Sequence, residues 1–586
     1  MKSGSTTASS LPGGTLKTAV LLSVCAATAF IVLGIVSGPN VIRHYAYMAS
    51  GASLGVTLGL LVIKPMLAGS LERSTSYRSG IFPILAAGML LAAISYWCGM
   101  RQFGGADQGA DVDVAWRLVN GQRPYIDFPC TVPVGFYLGA ELAFRLFGVY
   151  WRSIVLFNSL CTFIFLIWFS QILRTVFRNS ALNFWIPLSC IMGTMVVASF
   201  WWYNPITSVA AALYAAAVVS VILAPAHPSR WLSLCLSLYL VALMKPNVGA
   251  PLILGGSITL FAFRPTRLLS IPASLIALLL WYLTIRIHGS TVHDVVASYL
   301  SVASRGMVMT RLFSGLRWPE LTLKVSLLLA ALVPWCERCL RRNTGDSAGW
   351  PVMLFASFCL LAGLYGCANN SDAPAVHMPP LILAACFIVA NPCPDRPLLI
   401  FAPKWTRYFT FLCVWLTCFG LGEALVRDRV RNIGDFFEFT EDPSPLPAPF
   451  FDGLHSGPIF HSVVRQIADL SAADGLSHAF FGFRLEWAYA AFHVPAPKGL
   501  PIWWEPGSTF PAAEETRYEQ DWLSRRFNPV LMMDPTFLSP RFCDGIAARY
   551  GLRKEEDYHR KGLAPYHELV LRSEPGPPLA QWLPWK

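Results

Sequence analysis

Hydropathy restricts the fold before any motif does. Apolar segments at or near the length of a bilayer crossing recur at 17–37, 47–68, 80–100, 152–173, 184–203, 205–223, 230–246, 247–263, 268–287, 321–336, 350–369, 375–391 and 406–424. A helix needs about 20 apolar residues to cross the hydrocarbon, so the pattern is that of a polytopic α-helical membrane protein with about 13 transmembrane helices. Only 13% of the 586 residues are charged and 54% are hydrophobic. A soluble protein carries roughly a quarter charged residues. The net charge of +11 fits cytoplasmic loops facing anionic lipid. No basic stripe with interleaved aromatics is present, so nucleic acid is excluded as a partner and membrane lipids take its place.

Arginine and lysine placement orients the chain. Segment 132–149 is apolar enough to cross, yet it contains Glu141 and Arg145, and a charge at the bilayer centre costs at least about 2.5 kcal/mol. If that segment lies flat on the outer surface, Arg73, Arg78, Arg174, Arg178, Arg230, Arg264, Arg267, Arg338, Arg341, Arg342, Arg396, Lys404 and Arg407 all fall on the cytoplasmic side. If it crosses, the loops from Arg174 onward face outward and break the positive-inside rule. The segment is therefore read as a juxtamembrane amphipathic helix. The expectation is a multi-pass protein of the inner (plasma) membrane, its N-terminus cytoplasmic and its C-terminal part periplasmic or extracellular.

Three regions follow. Residues 1–16 read as a disordered cytoplasmic tail, 17–426 as the transmembrane module with an outer loop at 101–151, and 427–586 as a C-terminal extracytoplasmic α/β domain. In the last region charge density is ordinary and proline frequent. Helices are expected at 459–472, 514–526 and 540–550, and buried strands at 529–534 and 568–572. Most cysteines lie within apolar segments, where the thiol behaves as a small hydrophobe. Cys336 and Cys339 form a C-x-x-C pair, but no second ligand pair stands at zinc spacing. Nucleotide-binding glycine loops and serine-nucleophile motifs are absent.

The outer loop holds the chemistry. Between 105 and 148 stand Asp107, Asp111, Asp113 and Asp127, beside a bundle that is otherwise oil-soluble. A carboxylate at that depth can act as general base on an acceptor hydroxyl or amine. Alternatively it can hold a divalent cation against a phosphate leaving group. Either role suits a substrate whose lipid tail brings its head group to the membrane boundary. The ordinary role of such acids is to cap helices.

The same stretch resembles the GT-C class of membrane glycosyltransferases that use polyprenyl-phosphate sugars, a class that includes protein O-mannosyltransferases and lipid A glycosyltransferases. These share an Asp–Glu early in the first large outer loop, a run of the form alanine–arginine–leucine–x–x–glycine, then Pro-Tyr-x-Asp-Phe, then a Pro-led helix ending in leucine–phenylalanine–glycine. Here the chain has Asp107, VAWRLVNG at 114–121, PYIDF at 124–128 with Tyr125 and Asp127, VPVGFYLGAELAFRLFG at 132–148, and Arg152. The resemblance implies that Asp107 is the catalytic base. The family's glutamate is Gln108 in this chain. A neutral amide adds no charge to a metal site, and Asp111 or Asp113, about one turn further on, becomes the compensating acid.

A sugar donor on polyprenyl phosphate needs cations for its phosphate. Candidates are Lys245 and its neighbour Asn247 in MKPN, and Arg305 and Arg311 in an outer loop at 288–319. His377, at the outer start of a segment, can hydrogen-bond phosphate or sugar. His293 and Asp294 are weaker candidates in the same outer region. Trp503 and Trp504 either stack on sugar faces, with Glu505 bonding hydroxyls, or anchor the domain at the membrane surface. The acceptor is a lipid, glycan or protein at the outer face. The competing function is a transporter or flippase for a lipid-linked glycan, which would require polar groups lining a path through the bundle midplane.

Overall fold

The computed structural model describes residues 81–130, 134–302, 349–369, 378–393, 397–427 and 441–550, apart from 483, 508, 528–529 and 534–538 within the last range. It also describes the strands at 568–571 and 581–583, and three helical residues at 332, 335 and 336. The segments expected at 17–37 and 47–68, and almost all of 321–336, lie outside the described residues, as does the tail at 1–16.

The first half is a helical bundle. In order come α1 (Ile81–Gly99), α2 (Ala106–Val119), α3 (Val134–Phe147), α4 (Trp151–Arg174), α5 (Ser180–Ile191), α6 (Tyr203–Leu223), α7 (Pro228–Leu243), α8 (Pro246–Ala262), α9 (Arg264–Ile287) and α10 (Val292–Val302). After them stand α11 (Gly349–Asn369), α12 (Met378–Val389) and α13 (Pro403–Arg427). Among the described residues, four helices, α1, α4, α6 and α9, are long and apolar enough to cross a membrane. Shorter apolar helices accompany them, α5, α7, α8, α11 and α12 among them.

Helix α6 is the axis of the bundle. Its alanines at 210–212 and 215–217 are fully or almost fully buried, and their small size lets α4, α7, α8 and α12 pack against it. Helices α1 and α9 are peripheral. They leave Phe82 at 76% and Leu268 at 79% exposure, which suits a lipid-facing surface. Among the described residues, the buried Asp, Glu, Lys and Arg side chains are Asp111, Asp113, Arg117, Glu141, Glu486 and Glu519, all outside the four candidate spans. Inside the bundle the buried polar side chains are neutral, and some bind across helices. Asn158 Nδ2, for example, donates to Ser95 Oγ at 3.0 Å and to the Met195 carbonyl at 3.1 Å.

That Met195 carbonyl belongs to a departure from expectation. A single helix over 184–203 was expected. Instead α5 starts at Ser180, capped by the Asn179 side chain, and passes into a π-helical turn, Met192–Val196. The chain then breaks at Ser199, whose φ is +60°. A π turn widens the helix locally, and its Met195 carbonyl accepts from the Ser199 amide at 2.9 Å as well as from Asn158. The break releases Trp201, Trp202 and Tyr203 as a corner before α6. The indole of Trp201 donates to the Phe136 carbonyl at 2.6 Å and tethers that corner to α3. Helix α7 also stops short of the expected 246, because Pro246 opens α8 as its first residue.

Segment 132–149 forms a helix as expected, α3, and packs on α2. A two-stranded turn, β1 (Asn391–Pro392) with β2 (Leu399–Ile400), precedes α13. The C-terminal part contains α14 (Pro458–Asp474), β3 (Phe480–Gly482), α15 (Ala488–Ala491), α16 (Glu515–Ser524), β4 (Val530–Met533), α17 (Pro540–Tyr550), β5 (Glu568–Leu571) and β6 (Gln581–Leu583). Both expected strands and all three expected helices are present. Strands β3 and β6 are additional: three residues give too little alternation to read. The sheet order is β3-β4-β5-β6, with β3 parallel to β4 and the remaining pairs antiparallel.

This region holds two cores. The first is continuous with the bundle. Phe103 packs against Trp151, Phe451, Phe460 and Trp487, with ring centroids 4.9–5.8 Å apart. The second belongs to the region itself and gathers Trp504, Phe510, Tyr518, Trp522, Phe527 and Phe542.

Candidate active site

Helix α2 carries three of the four acids and seats them in three different environments. It begins after Gly105, whose φ of +84° a side chain would oppose. The Gln108 side-chain carbonyl accepts from the Gly104 amide and closes the entry turn. Gln108 is thus a loop-holding residue, buried, with its oxygen turned toward the backbone.

Asp107, in the first turn, is half-buried. Burial lifts its pKa above the usual 3.8; Lys245, Arg484 and the indole of Trp202 pull it back, and Glu505 adds to the lift. Lys245, Arg484 and Glu505 are also half-buried. Four separate segments therefore converge on one carboxylate: the start of α2, the α7–α8 corner, the corner before α6, and the C-terminal region. Trp202 Nε1 is buried with no hydrogen-bond partner on the protein. Its contact with the carboxylate is therefore looser than a formed hydrogen bond. The Lys245 ammonium lies 4.2 Å from the Tyr203 ring centroid, a cation–π contact that orients it. Arg484 has a φ of +80°, an unfavourable backbone for a side chain of its kind.

Asp111 lies one turn on and on the same face as Asp107. It is fully buried, and neither carboxyl oxygen has a hydrogen-bond partner on the protein. Burial, and secondarily the Asp107 charge, push its pKa well above the usual value. An acid so placed is pushed toward its neutral form.

Asp113 faces the other way. It pairs with Arg117 at 2.8 Å, and both side chains are buried. Arg117 also donates to the Pro497 carbonyl at 2.9 Å, while Gln122 Nε2 donates to the Ala496 carbonyl at 2.7 Å. The pair therefore ties α2 to the C-terminal region. Burial outweighs Arg117 and raises the Asp113 pKa to about 6. Glu486 is buried nearby, its carboxyl facing Gly109, and burial raises its pKa to about 8.

The other expected residues divide. Asp127 pairs with Arg123 at 3.2 Å on the surface, and Lys498 lies 3.9 Å away. Tyr125, with φ +67°, sets its ring edge-on to Tyr299, centroids 6.4 Å apart. Arg152 bonds Asp452 at 3.0 Å and covers Tyr150. Asp294 and Thr291 cap α10 reciprocally, and His293 points to solvent. Trp504 belongs to the second core, stacked on Phe542 at 4.7 Å, and Trp503 packs against the first. Arg305, Arg311 and His377 lie outside the described residues, as do Cys339 and the side chain of Asn247.

Of the expected set, then, Asp107, Asp111 and Lys245 come together, and Glu505 joins them. Trp202 and Arg484 were not foreseen. Among the described residues, no group of three or more His, Cys, Asp or Glu side chains is placed to hold a metal ion. A cavity of about 590 Å³ opens at the far end of α2, and Asp107 does not line it.

No family model matches the chain, and no curated protein matches it. One solved structure to which it is similar is that of ArnT from Cupriavidus metallidurans bound to undecaprenyl phosphate. The identity is 12%, the match covers 86% of this chain and 100% of that one, and the TM-score is 0.45.

Proposed function

We propose that the chain is an integral-membrane glycosyltransferase that moves a sugar from a polyprenyl-phosphate carrier to an acceptor at the outer face of the membrane, with Asp107 as general base. The observation that carries this reading is the convergence on Asp107 of Lys245 from the bundle and Arg484 from the C-terminal region. A carboxylate alone is a helix cap. A half-buried carboxylate with two cations from different segments is a base beside a ready anion site.

The reaction runs as one displacement. The acceptor's O–H or N–H proton passes to the Asp107 carboxylate. The freed electron pair attacks the anomeric carbon, and the bond from that carbon to the phosphate oxygen breaks. The departing phosphate keeps the electron pair, and Lys245 and Arg484 balance its charge. A single displacement inverts the anomeric centre. Phosphate leaves without needing a proton, so one base suffices. Gln108 is occupied with the backbone and Asp111 is pushed toward its neutral form, so the donor set around Asp107 does not suit a divalent cation, and no step passes through one.

The transporter alternative asks for charged groups along a path through the bundle. The buried ionisable groups named above lie outside the four candidate spans, which favours the enzyme. The test is transfer from radiolabelled polyprenyl-phosphate sugars by the purified chain without an energy source. Product with the wild type, and a loss of about 10²–10⁴-fold in Asp107→Asn at unchanged folding, is expected. Near-wild-type turnover by that variant removes Asp107 from the mechanism; absence of product from the wild type across donors removes the enzyme reading.

A further inference from the structure

The cavity at the far end of α2 is separate from the Asp107 site. From Asp107 to Leu118 is about three turns, roughly 16 Å at 1.5 Å per residue. Its walls come from the end of α2, from α3 and from the end of α9: Leu118, Arg123, Leu138, Glu141, Arg145 and His288 carry the argument.

Its charges are organised around one buried carboxylate. Glu141 accepts from Arg145 Nε at 2.8 Å through one oxygen and from His288 Nε2 at 2.8 Å through the other. His288 Nδ1 lies 3.0 Å from the Thr284 backbone carbonyl. Both ring nitrogens thus face acceptors, and the Glu141 carboxylate raises the His288 pKa against the effect of burial, so the pocket favours the protonated imidazole. Arg145 Nη2 reaches the Leu118 carbonyl at 3.4 Å, while Nη1 has no partner among the described residues. Arg123 gives its Nε and Nη2 to Asp127 and likewise keeps Nη1 uncommitted. Three basic groups therefore face two carboxylates, Arg145 and His288 on Glu141 and Arg123 on Asp127, with guanidinium donors left over.

The lip of the cavity is apolar and faces outward. Leu142 is 45% exposed, Leu146 61% and Ile287 80%. Arg286, next in line, is exposed too and has no partner among the described residues. Surplus cations beside a strip of exposed leucine and isoleucine, at the end of an apolar helix of span length, match a molecule that is an anion at one end and hydrocarbon at the other.

We propose that this cavity binds the phosphodiester head group of an anionic phospholipid, with Arg145, Arg123 and His288 around the phosphate and the acyl chains over Leu138, Leu142 and Ile287. The proposal is independent of the catalytic role given to Asp107. Glu141 serves as the internal counter-ion that holds Arg145 and His288 in place.

The probe is a fluorescent phosphatidylglycerol titrated into the purified full-length chain in detergent, competed with unlabelled phosphatidylglycerol, phosphatidylcholine or inorganic phosphate. Phosphatidylglycerol should compete and the other two should not. Arg145→Gln should weaken binding about tenfold, the equivalent of one charge-assisted hydrogen bond. Leu142→Gln on the exposed lip should weaken it in the same assay. If Arg145→Gln fails to fold, Arg123→Gln, a half-exposed surface side chain, carries the test. Equal competition by phosphatidylcholine, or unchanged binding in the folded arginine variants, overturns the proposal. Equal competition by inorganic phosphate makes the cavity a small-anion site and overturns the lipid assignment.

Discussion

Glu486→Gln should stabilise the protein, and by an amount that depends on pH. The Glu486 carboxyl is buried beside Gly109 of α2. Burial is the largest influence on it and Asp113 adds repulsion, while backbone amides at Glu486 and Arg484 oppose them; the outcome is a rise from 4.5 to about 8. A carboxyl whose folded pKa lies above its unfolded one holds its proton more tightly when folded. Stability from this group is therefore fully present below about pH 4.5 and drains away as pH rises to about 8. At about 1.36 kcal/mol for each pH unit, the loss is a little over about 3 kcal/mol at pH 7 and about 5 kcal/mol above pH 8. Glutamine has the same shape, keeps the acceptor oxygen and never ionises. The variant should match the wild type near pH 4.5 and gain progressively above it. Unfolding midpoints of both proteins between pH 4.5 and 9, followed by tryptophan fluorescence, give the difference directly. A difference that stays flat with pH, or that shrinks as pH rises, would refute the claim that Glu486 is a buried neutral acid.

Two further outcomes follow from the same geometry. Asp113→Ala leaves the Arg117 guanidinium buried without its carboxylate and should cost about 3–5 kcal/mol, whereas Arg123→Ala at the exposed Asp127 pair should cost under about 1 kcal/mol; unfolding midpoints rank the two. Lys245→Gln and Arg484→Gln should each reduce kcat/KM for a polyprenyl-phosphate sugar by about tenfold or more, the worth of one charge-assisted hydrogen bond, and steady-state kinetics over donor concentration measure it.

The helices were legible and the site only in part, for a reason that lies in the chain itself. A span-length apolar run needs no tertiary information, so α1, α4, α6 and α9 stand within a few residues of the expected positions. The acids of α2 were visible because charge is rare in this chain. What a linear reading could not show was how their environments differ. Asp107, Asp111 and Asp113 occupy neighbouring turns of one helix, and only packing makes one a base beside cations, one an isolated neutral acid and one a structural ion pair. Trp202 lay hidden inside an apolar run that looked like uninterrupted helix; Pro187 within α5 was the local hint of irregularity there. Arg484 carried no signal, since it reaches Asp107 only through the C-terminal region's packing on the bundle. Trp504 misled in the opposite direction, its aromatic neighbourhood being core.

The relation between Asp107 and Asp111 bears most directly on mechanism. Both sit on one face of α2, so they share a surface but not a solvation state. Two cations and an indole partly reverse the effect of burial on Asp107, while Asp111 has no such partner. Environments that push two acids apart divide their labour. Asp107 is then the acid drawn back toward its ionised form and able to take the acceptor's proton; Asp111, pushed toward its protonated form, is not. Asp111→Asn replaces a neutral carboxylic acid by a neutral amide of the same shape. It should leave kcat within about threefold, less than 1 kcal/mol in activation free energy, and should raise stability at neutral pH by removing the cost of protonating, on folding, a carboxylate that is ionised in the unfolded chain. A pH–rate profile separates the two roles. The acidic limb, set by Asp107, should persist in Asp111→Asn at an unchanged position, because a protonated neighbour carries no charge to repel Asp107. If Asp111→Asn instead abolishes transfer as fully as Asp107→Asn does, the proton travels through both acids, and the single-base mechanism is wrong.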